Sequence, residues 1–348
     1  LGYDKVPEDL TELKELLIKF RDSDLNGNGQ KDEVGLIGTS FENILRLFRG
    51  SFGIGTRGRT ANVIDIDDDG NLRYIPTSEN YKKMLSYLHE LYSEGLIYQE
   101  IFDSSIANMT AVGEQNRVLM GIGSLHYLGT TYKDQYVGMD TIFKGPDGYQ
   151  FNADVGNPIL AQNTFITSDN KHIPETVAFF DYFYSKEGIE LYFMGFEGET
   201  FTYNEQGLPV YTDMVTKNEQ GLNSEEVLGS YVPWGGGANP TIAEDTCFGT
   251  NMYTKIEADV CKARLENAVK TVWAPFNYTN DEYSRLSVLQ TDIKAYVDEM
   301  AAKFVTGDAD IDADWQGYVD TLNRMGLVEL VSIYQSGLDR YAEVTGQY

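Results

Sequence analysis

The hydrophobic period of this chain switches back and forth between a helical stripe and short apolar runs, and that switching confines it to a mixed α/β fold. After Pro7, residues Leu10, Leu13, Leu17 and Phe20 recur on one helical face, with Pro7 expected in the first turn. A second helix is predicted over Phe41 to Phe48, ending in the glycine-rich stretch 50–55. Val63 to Asp67 and Leu72 to Ile75 flank the turn Asp69-Gly70-Asn71 and read as a hairpin. Tyr81, Leu85, Leu88 and Tyr92 then mark a long amphipathic helix from Ser78 to Glu94, with Gly95 as its stop.

Arg117 to Gly121 and Thr164 to Thr167 read as short strands, and Pro174 opens a helix bearing Val177, Phe180 and Tyr184. Residues 197–240 read as loops and short strands. From Leu286 the pattern is strongly helical through Leu289, Ile293, Val297, Met300 and Phe304, with a stop at Gly307. Asp312 or Asp314 is the expected cap of the next helix, whose apolar face places Trp315 in the core. A last helix fills Val328 to Val344.

A chain of 348 residues exceeds one ordinary core and suggests two lobes. Its 54 acidic and 27 basic residues give a formal net charge of −27, which works against binding nucleic acid or an anionic bilayer and favours divalent cations. The three histidines, His89, His126 and His172, are scattered, so neither a His-rich metal site nor a catalytic triad is supported. Cys247 and Cys261 suit at most one disulfide, and spacing leaves their pairing open. Leu1 is not an initiator Met, and no signal segment or run of about 18 apolar residues is present. The expectation is a processed or truncated form.

The loop Asp24-Leu-Asn-Gly-Asn-Gly-Gln-Lys-Asp-Glu33 follows directly on the first helix. Asp24, Asn26 and Asn28 stand at positions 1, 3 and 5 of an EF-hand-like pattern, with Gly29 at the sharp turn. Gln30 offers its carbonyl at position 7 and Asp32 stands at position 9. Gly35 replaces the usual bidentate Glu at position 12, a duty that Glu33 can assume. A hard cation seeking oxygens, calcium foremost, fits these residue types. The run Asp65-Ile-Asp-Asp-Asp-Gly70 mimics the start of this pattern, but Arg73 and Pro76 fall on later ligand positions, so it reads as the hairpin turn.

Several stretches, in order along the chain, resemble the family 1 extracellular solute-binding proteins of ABC importers. The resemblance is strongest to their Gram-positive lipoprotein branch and to alginate-oligosaccharide binders. The stretches are Pro7-Glu-Asp-Leu10 with Lys19-Phe-Arg-Asp22, the loop 26–33, and Tyr81-Lys-Lys83 with Leu91-Tyr-Ser-Glu-Gly-Leu96. Further along come Phe180 to Gly188, Gly195-Phe-Glu-Gly-Glu-Thr200, and Val305-Thr-Gly307 with Asp314-Trp315 and Tyr318-Val319.

The resemblance implies a two-lobe, periplasmic-binding-protein-like (type II) α/β fold. Residues 1–150 and 226–348 would form the second lobe, with the calcium loop, and 151–225 part of the first, which would be incomplete. It implies calcium at Asp24, Asn26, Asn28, Gln30, Asp32 and Glu33. It implies an extracellular, lipid-anchored monomer that hands a carbohydrate to permease subunits without catalysis. An incomplete lobe would leave Val177, Phe180, Tyr184 and Leu191 short of cover.

Sugar rings stack their C–H faces on aromatic planes while amides and carboxylates take the hydroxyls. Trp234, flanked by Gly235 to Gly237, is the first candidate contact. Trp273, then Tyr127 beside His126, come next, followed by Phe41 and Asn43. The rival classes are a glycoside hydrolase, which needs only two suitably spaced carboxylates, and a calcium-stabilised surface adhesion module.

Overall fold

The computed structural model describes residues 1–57, 63–153, 165–220, 222, 224–232, 255–270 and 272–346. The chain divides into two compact units, one of Leu1–Asn157 with Lys262–Tyr348, the other Pro158–Cys261.

In the first unit, helix α1 (Leu10–Arg21) is capped by Asp9, whose carboxylate accepts the Thr11 and Glu12 amides at 2.9 Å. Pro7 therefore precedes the helix rather than sitting in its first turn. Leu10, Leu13, Leu17 and Phe20 are all buried, as their period requires. The chain then enters strand β1 (Val34–Gly38), which pairs in parallel with β4 (Val118–Ile122), Leu36 opposite Met120 and Gly38 opposite Ile122. Along its other edge, β1 bridges Ile97 in parallel. The sequence reading overlooked β1, because Val-Gly-Leu-Ile-Gly is wholly buried and shows no alternation. Helix α4 (Ile106–Gly113) went equally unread.

Helix α2 (Phe41–Phe48) follows β1, and strands β2 (Ile64–Ile66) and β3 (Leu72–Tyr74) form the expected hairpin. Asp67 closes its turn by accepting the Asp69 and Asn71 amides at 3.1 and 2.8 Å. Asp65 is buried and takes the Arg73 guanidinium at 2.5 Å, so the acidic run is a hairpin anchor. Helix α3 (Glu79–Ser93) is capped by Ser78. It packs against the long helix near the end of the chain, which spans Asn280–Thr306.

In the second unit, α5 (Ile173–Tyr182) precedes α6 (Lys186–Met194), the hairpin β5 (Phe201–Tyr203) and β6 (Pro209–Tyr211), and short helices α7 (Asp213–Thr216) and α8 (Ser224–Leu228). Its core gathers Ile189, Phe193, Met194, Phe201, Val215, Leu228 and Val232. Helix α5 buries no residue: Val177 is 52% and Phe179 61% exposed, Tyr184 is exposed, and Phe180 and Leu191 are half-buried. Thr164 lies outside the described residues, and 165–167 form no strand.

The unit boundaries differ from those read in the sequence. Val227, Leu228 and Val232 belong to the same buried cluster as Ile189 and Phe193, which draws them into the second unit. Asn152 exchanges backbone hydrogen bonds with Asn267 and Val269 at 2.8 and 3.2 Å, which holds 151–153 in the first.

Helix α9 (Lys255–Glu266) leads to the C-terminal helices α10 (Asn280–Thr306), α11 (Ile311–Arg324) and α12 (Leu327–Thr345). Helix α10 starts six residues before Leu286 because Thr279 and Glu282 form a reciprocal capping box. Asp310, not Asp312 or Asp314, caps α11, accepting the Asp312 and Ala313 amides. Trp315 is in the core as read, with Phe304 and Tyr318 at ring-centroid distances of 5.8 and 5.1 Å. The buried Tyr318 hydroxyl donates to the Pro76 carbonyl at 3.1 Å, so the ring is buried without an orphaned O–H.

Candidate functional site

The loop between α1 and β1 is folded around its own carboxylates. Asp24 accepts the Asn28 amide on Oδ1 at 3.0 Å and the Gly29 amide on Oδ2 at 2.9 Å. Asn26 Oδ1 also accepts the Asn28 amide at 3.0 Å, and Asn28 Oδ1 accepts the Gln30 amide at 2.7 Å. Gly27 and Gly29 have φ of 73° and 80°, a region that a β-carbon disfavours, so the tight reversal needs glycine there. Each carboxylate oxygen keeps a lone pair after accepting one N–H, so Asp24 retains ligating capacity.

Glu33 carries the clearest mark of a cation site. Its side chain is 5% exposed; Oε1 accepts the Leu25 amide at 2.7 Å, while Oε2 is buried with no hydrogen-bond partner. A buried carboxylate oxygen left unpaired is costly, and a bound cation would satisfy it. Gly35 shows why the usual twelfth-position acid is missing. A β-carbon there would lie 2.6 Å from the Leu96 carbonyl oxygen and 2.8 Å from Leu17 Cδ2, so β1 can run this close to its neighbours only without a side chain. Among the described residues no three of His, Cys, Asp or Glu converge on one point. A cation here would therefore depend also on the Asn26 and Asn28 amides and the Gln30 carbonyl.

One partner of the loop has no signal in the sequence. Arg117 donates from Nε to the Asp32 carbonyl at 2.8 Å and from Nη1 to Gln115 Oε1 at 3.0 Å, and its Nε lies 2.9 Å from Asp32 Oδ2 in an ion pair. The Val34 amide donates to the Arg117 carbonyl at 2.7 Å, where the β1–β4 ladder begins. Asn116, the one non-glycine residue at positive φ among those described, turns the chain into β4 and sets Arg117 beside the loop.

At the other end of the same strand pair lie four of the candidate ligand contacts. Phe41 and Asn43 stand just after β1, and His126 and Tyr127 just after β4. Because the strands are parallel, both segments leave from their C-terminal ends, where open α/β sheets bind ligands. His126 is exposed and Tyr127 half-buried, with ring centroids 4.4 Å apart at 68°. Gly123 makes room for the Tyr127 ring, since a β-carbon there would meet its Cδ2 at 2.9 Å. Phe41 is tilted on Phe102 with centroids 4.7 Å apart, and Asn43 Oδ1 accepts the Thr39 hydroxyl at 2.8 Å.

Trp273 is 1% exposed, packs at 5.2 Å on Phe276, and has the Arg57 guanidinium 5.9 Å from its ring centroid, so the indole belongs to the core. Trp234 and Cys247 lie outside the described residues; Cys261 is exposed. No helix among the described residues is long and apolar enough to cross a membrane.

No protein-family model matches the chain. A curated fructooligosaccharide ABC transporter substrate-binding protein from Streptococcus pneumoniae is 23% identical over 359 aligned residues. The match covers 97% of this chain and 63% of the relative. The structure of alginate-binding protein AlgQ2 without calcium ion superposes with a TM-score of 0.78 at 19% identity, covering 96% of this chain and 68% of that one. An EF-hand mutant of the pneumococcal protein in complex with fructo-nystose superposes with a TM-score of 0.68 at 20% identity, covering 98% and 70%. The chain thus spans about two thirds of the length of the proteins it matches. The chain is similar to an ABC transporter substrate-binding protein and shares the periplasmic-binding-protein-like α/β fold of these solved structures.

Proposed function

We propose that this chain binds an oligosaccharide for delivery to the permease subunits of an ABC importer, without catalysing its hydrolysis, and that the loop Asp24–Glu33 holds a structural calcium ion. The observation that carries the sugar reading is the parallel β1–β4 pair, whose C-terminal ends bring Phe41, Asn43, His126 and Tyr127 to one edge. Its support is the likeness to a relative described as a fructooligosaccharide substrate-binding protein. Tyr127 offers a partly open ring for stacking, and His126 a polar neighbour for hydroxyls. Trp234 is a further candidate contact on its sequence setting alone, an indole beside three glycines. Trp273 is left out, since its ring is enclosed.

Calcium, when bound, would supply a hard positive charge to satisfy the buried Glu33 oxygen. The chain's own part is to hold Asp24, Asn26, Asn28, Gln30, Asp32 and Glu33 at one turn directly before β1. This reading places the protein outside the cell, as a lipid-anchored monomer.

A thermal-shift screen of fructo-, algino- and other oligosaccharides tests the sugar assignment. A ligand that raises the melting temperature should do so less for Tyr127→Ala or Trp234→Ala, each weakening binding by about fivefold to tenfold. Undiminished binding by both variants would remove the proposed contacts. Release of shorter sugars would replace the transport reading with a glycosidase.

A further inference from the structure

Resting on the calcium reading, we infer that Arg117 is a positioning residue for the metal loop, a built-in counter-charge that holds Asp32 when the ion is absent and lowers the loop's affinity for it. Arg117 is 24% and Asp32 26% exposed, so their pair is shielded from most solvent. The guanidinium grips both the carboxylate and the carbonyl of Asp32, while Asn28 Nδ2 donates to the other carboxylate oxygen at 3.1 Å. Both carboxylate oxygens of Asp32 thus have a partner without a metal, in contrast to Glu33, whose Oε2 has none.

A cation entering the loop meets a fixed positive charge on one of its own ligands and shares that ligand's negative charge with it. Two effects of removing Arg117 oppose each other. Losing the charge strengthens metal binding, and losing order in the loop weakens it. The first should win, because the backbone near Asp32 keeps two independent anchors. The Val34 amide still reaches the residue 117 carbonyl, and the Leu25 amide still reaches Glu33.

Calcium titration by calorimetry on the whole chain, paired with melting in chelator, tests this. Arg117→Ala should bind calcium about tenfold more tightly, the scale of a solvent-screened repulsion between a single and a double charge. It should also melt at a lower temperature in chelator, so its calcium-induced gain widens. Arg117→Lys keeps the charge and should bind calcium with nearly wild-type affinity. If Arg117→Ala fails to fold, Arg117→Gln, which keeps a donor for the Asp32 carbonyl, must show the same tightening. Wild type binding calcium while the neutral variants bind it equally or more weakly overturns the role of Arg117 alone. Wild type failing to bind calcium overturns the calcium reading and this inference with it.

Discussion

Glu33 and Leu25 close the ends of one loop on each other: Glu33 Oε1 takes the Leu25 amide at 2.7 Å and leaves Oε2 buried and unpaired. This one contact joins the exit of α1 to the entry of β1. Occupancy of the loop should therefore register in the stability of the first unit.

Chelation should lower the melting temperature of the wild type. A ligand at 100 times its Kd adds about 2.7 kcal/mol to the folded state by mass action. Asp24→Ala should abolish the difference between calcium and chelator, measured by calorimetric melting in both. Equal melting temperatures for the wild type in both conditions would discard the ion.

Glu33→Gln separates the ion from the loop's own order. The amide oxygen can still accept from Leu25, but the buried charge is gone. In chelator this variant should be at least as stable as the wild type, because an unpaired buried charge has been removed. In calcium it should gain little. A variant that melts well below the wild type in chelator would show that Glu33 serves the fold without a metal.

How far the sequence could be read depended on whether a feature is local. The span of α3 with its stop at Gly95, the stop of α10 at Gly307, the hairpin of β2 and β3, and the burial of Trp315 follow from residues a few positions apart, and each was legible. Strand β1 was not, because a five-residue run buried throughout carries no period. Arg117 could not be assigned to Asp32 from spacing, since 85 residues separate them and only the parallel pairing of β1 with β4 brings them together. Trp273 shows the converse error: the sequence offers it as a candidate sugar contact, yet its ring fills the core. The loop's departure at Gly35 was visible, but its cause is the backbone of Leu96, which the sequence does not place.

Trp273→Ala should destabilise the first unit by about 3–5 kcal/mol, the usual cost of emptying an enclosed aromatic site. Trp273→Phe should lose less and should leave sugar affinity unchanged once the protein is folded. Denaturant melts and ligand titration of both variants check this, and an affinity loss in folded Trp273→Phe would restore the residue to the ligand site.

The capping box of α10 gives a pH dependence of definite sign. Hydrogen bonding from the Thr279 amide, and then from Arg340, holds the Glu282 carboxyl below its ordinary 4.5. A carboxyl depressed on folding contributes stability that is complete above its unfolded value and is lost as pH falls through its folded value. Below pH 4.5 the wild type should lose stability more steeply than Glu282→Gln, in parallel acid titrations followed by circular dichroism. Identical slopes would show that the box does not sense pH.

The central claim is that this chain binds an oligosaccharide and leaves it intact. Calorimetric titration of the whole chain with a panel of oligosaccharides in calcium, with the sugars then analysed by mass, tests it most directly. The expected result is saturable binding of at least one sugar, weakened by Tyr127→Ala, with every sugar recovered at its starting mass. Heat of binding to none of the panel, or recovery of shortened sugars, would contradict it.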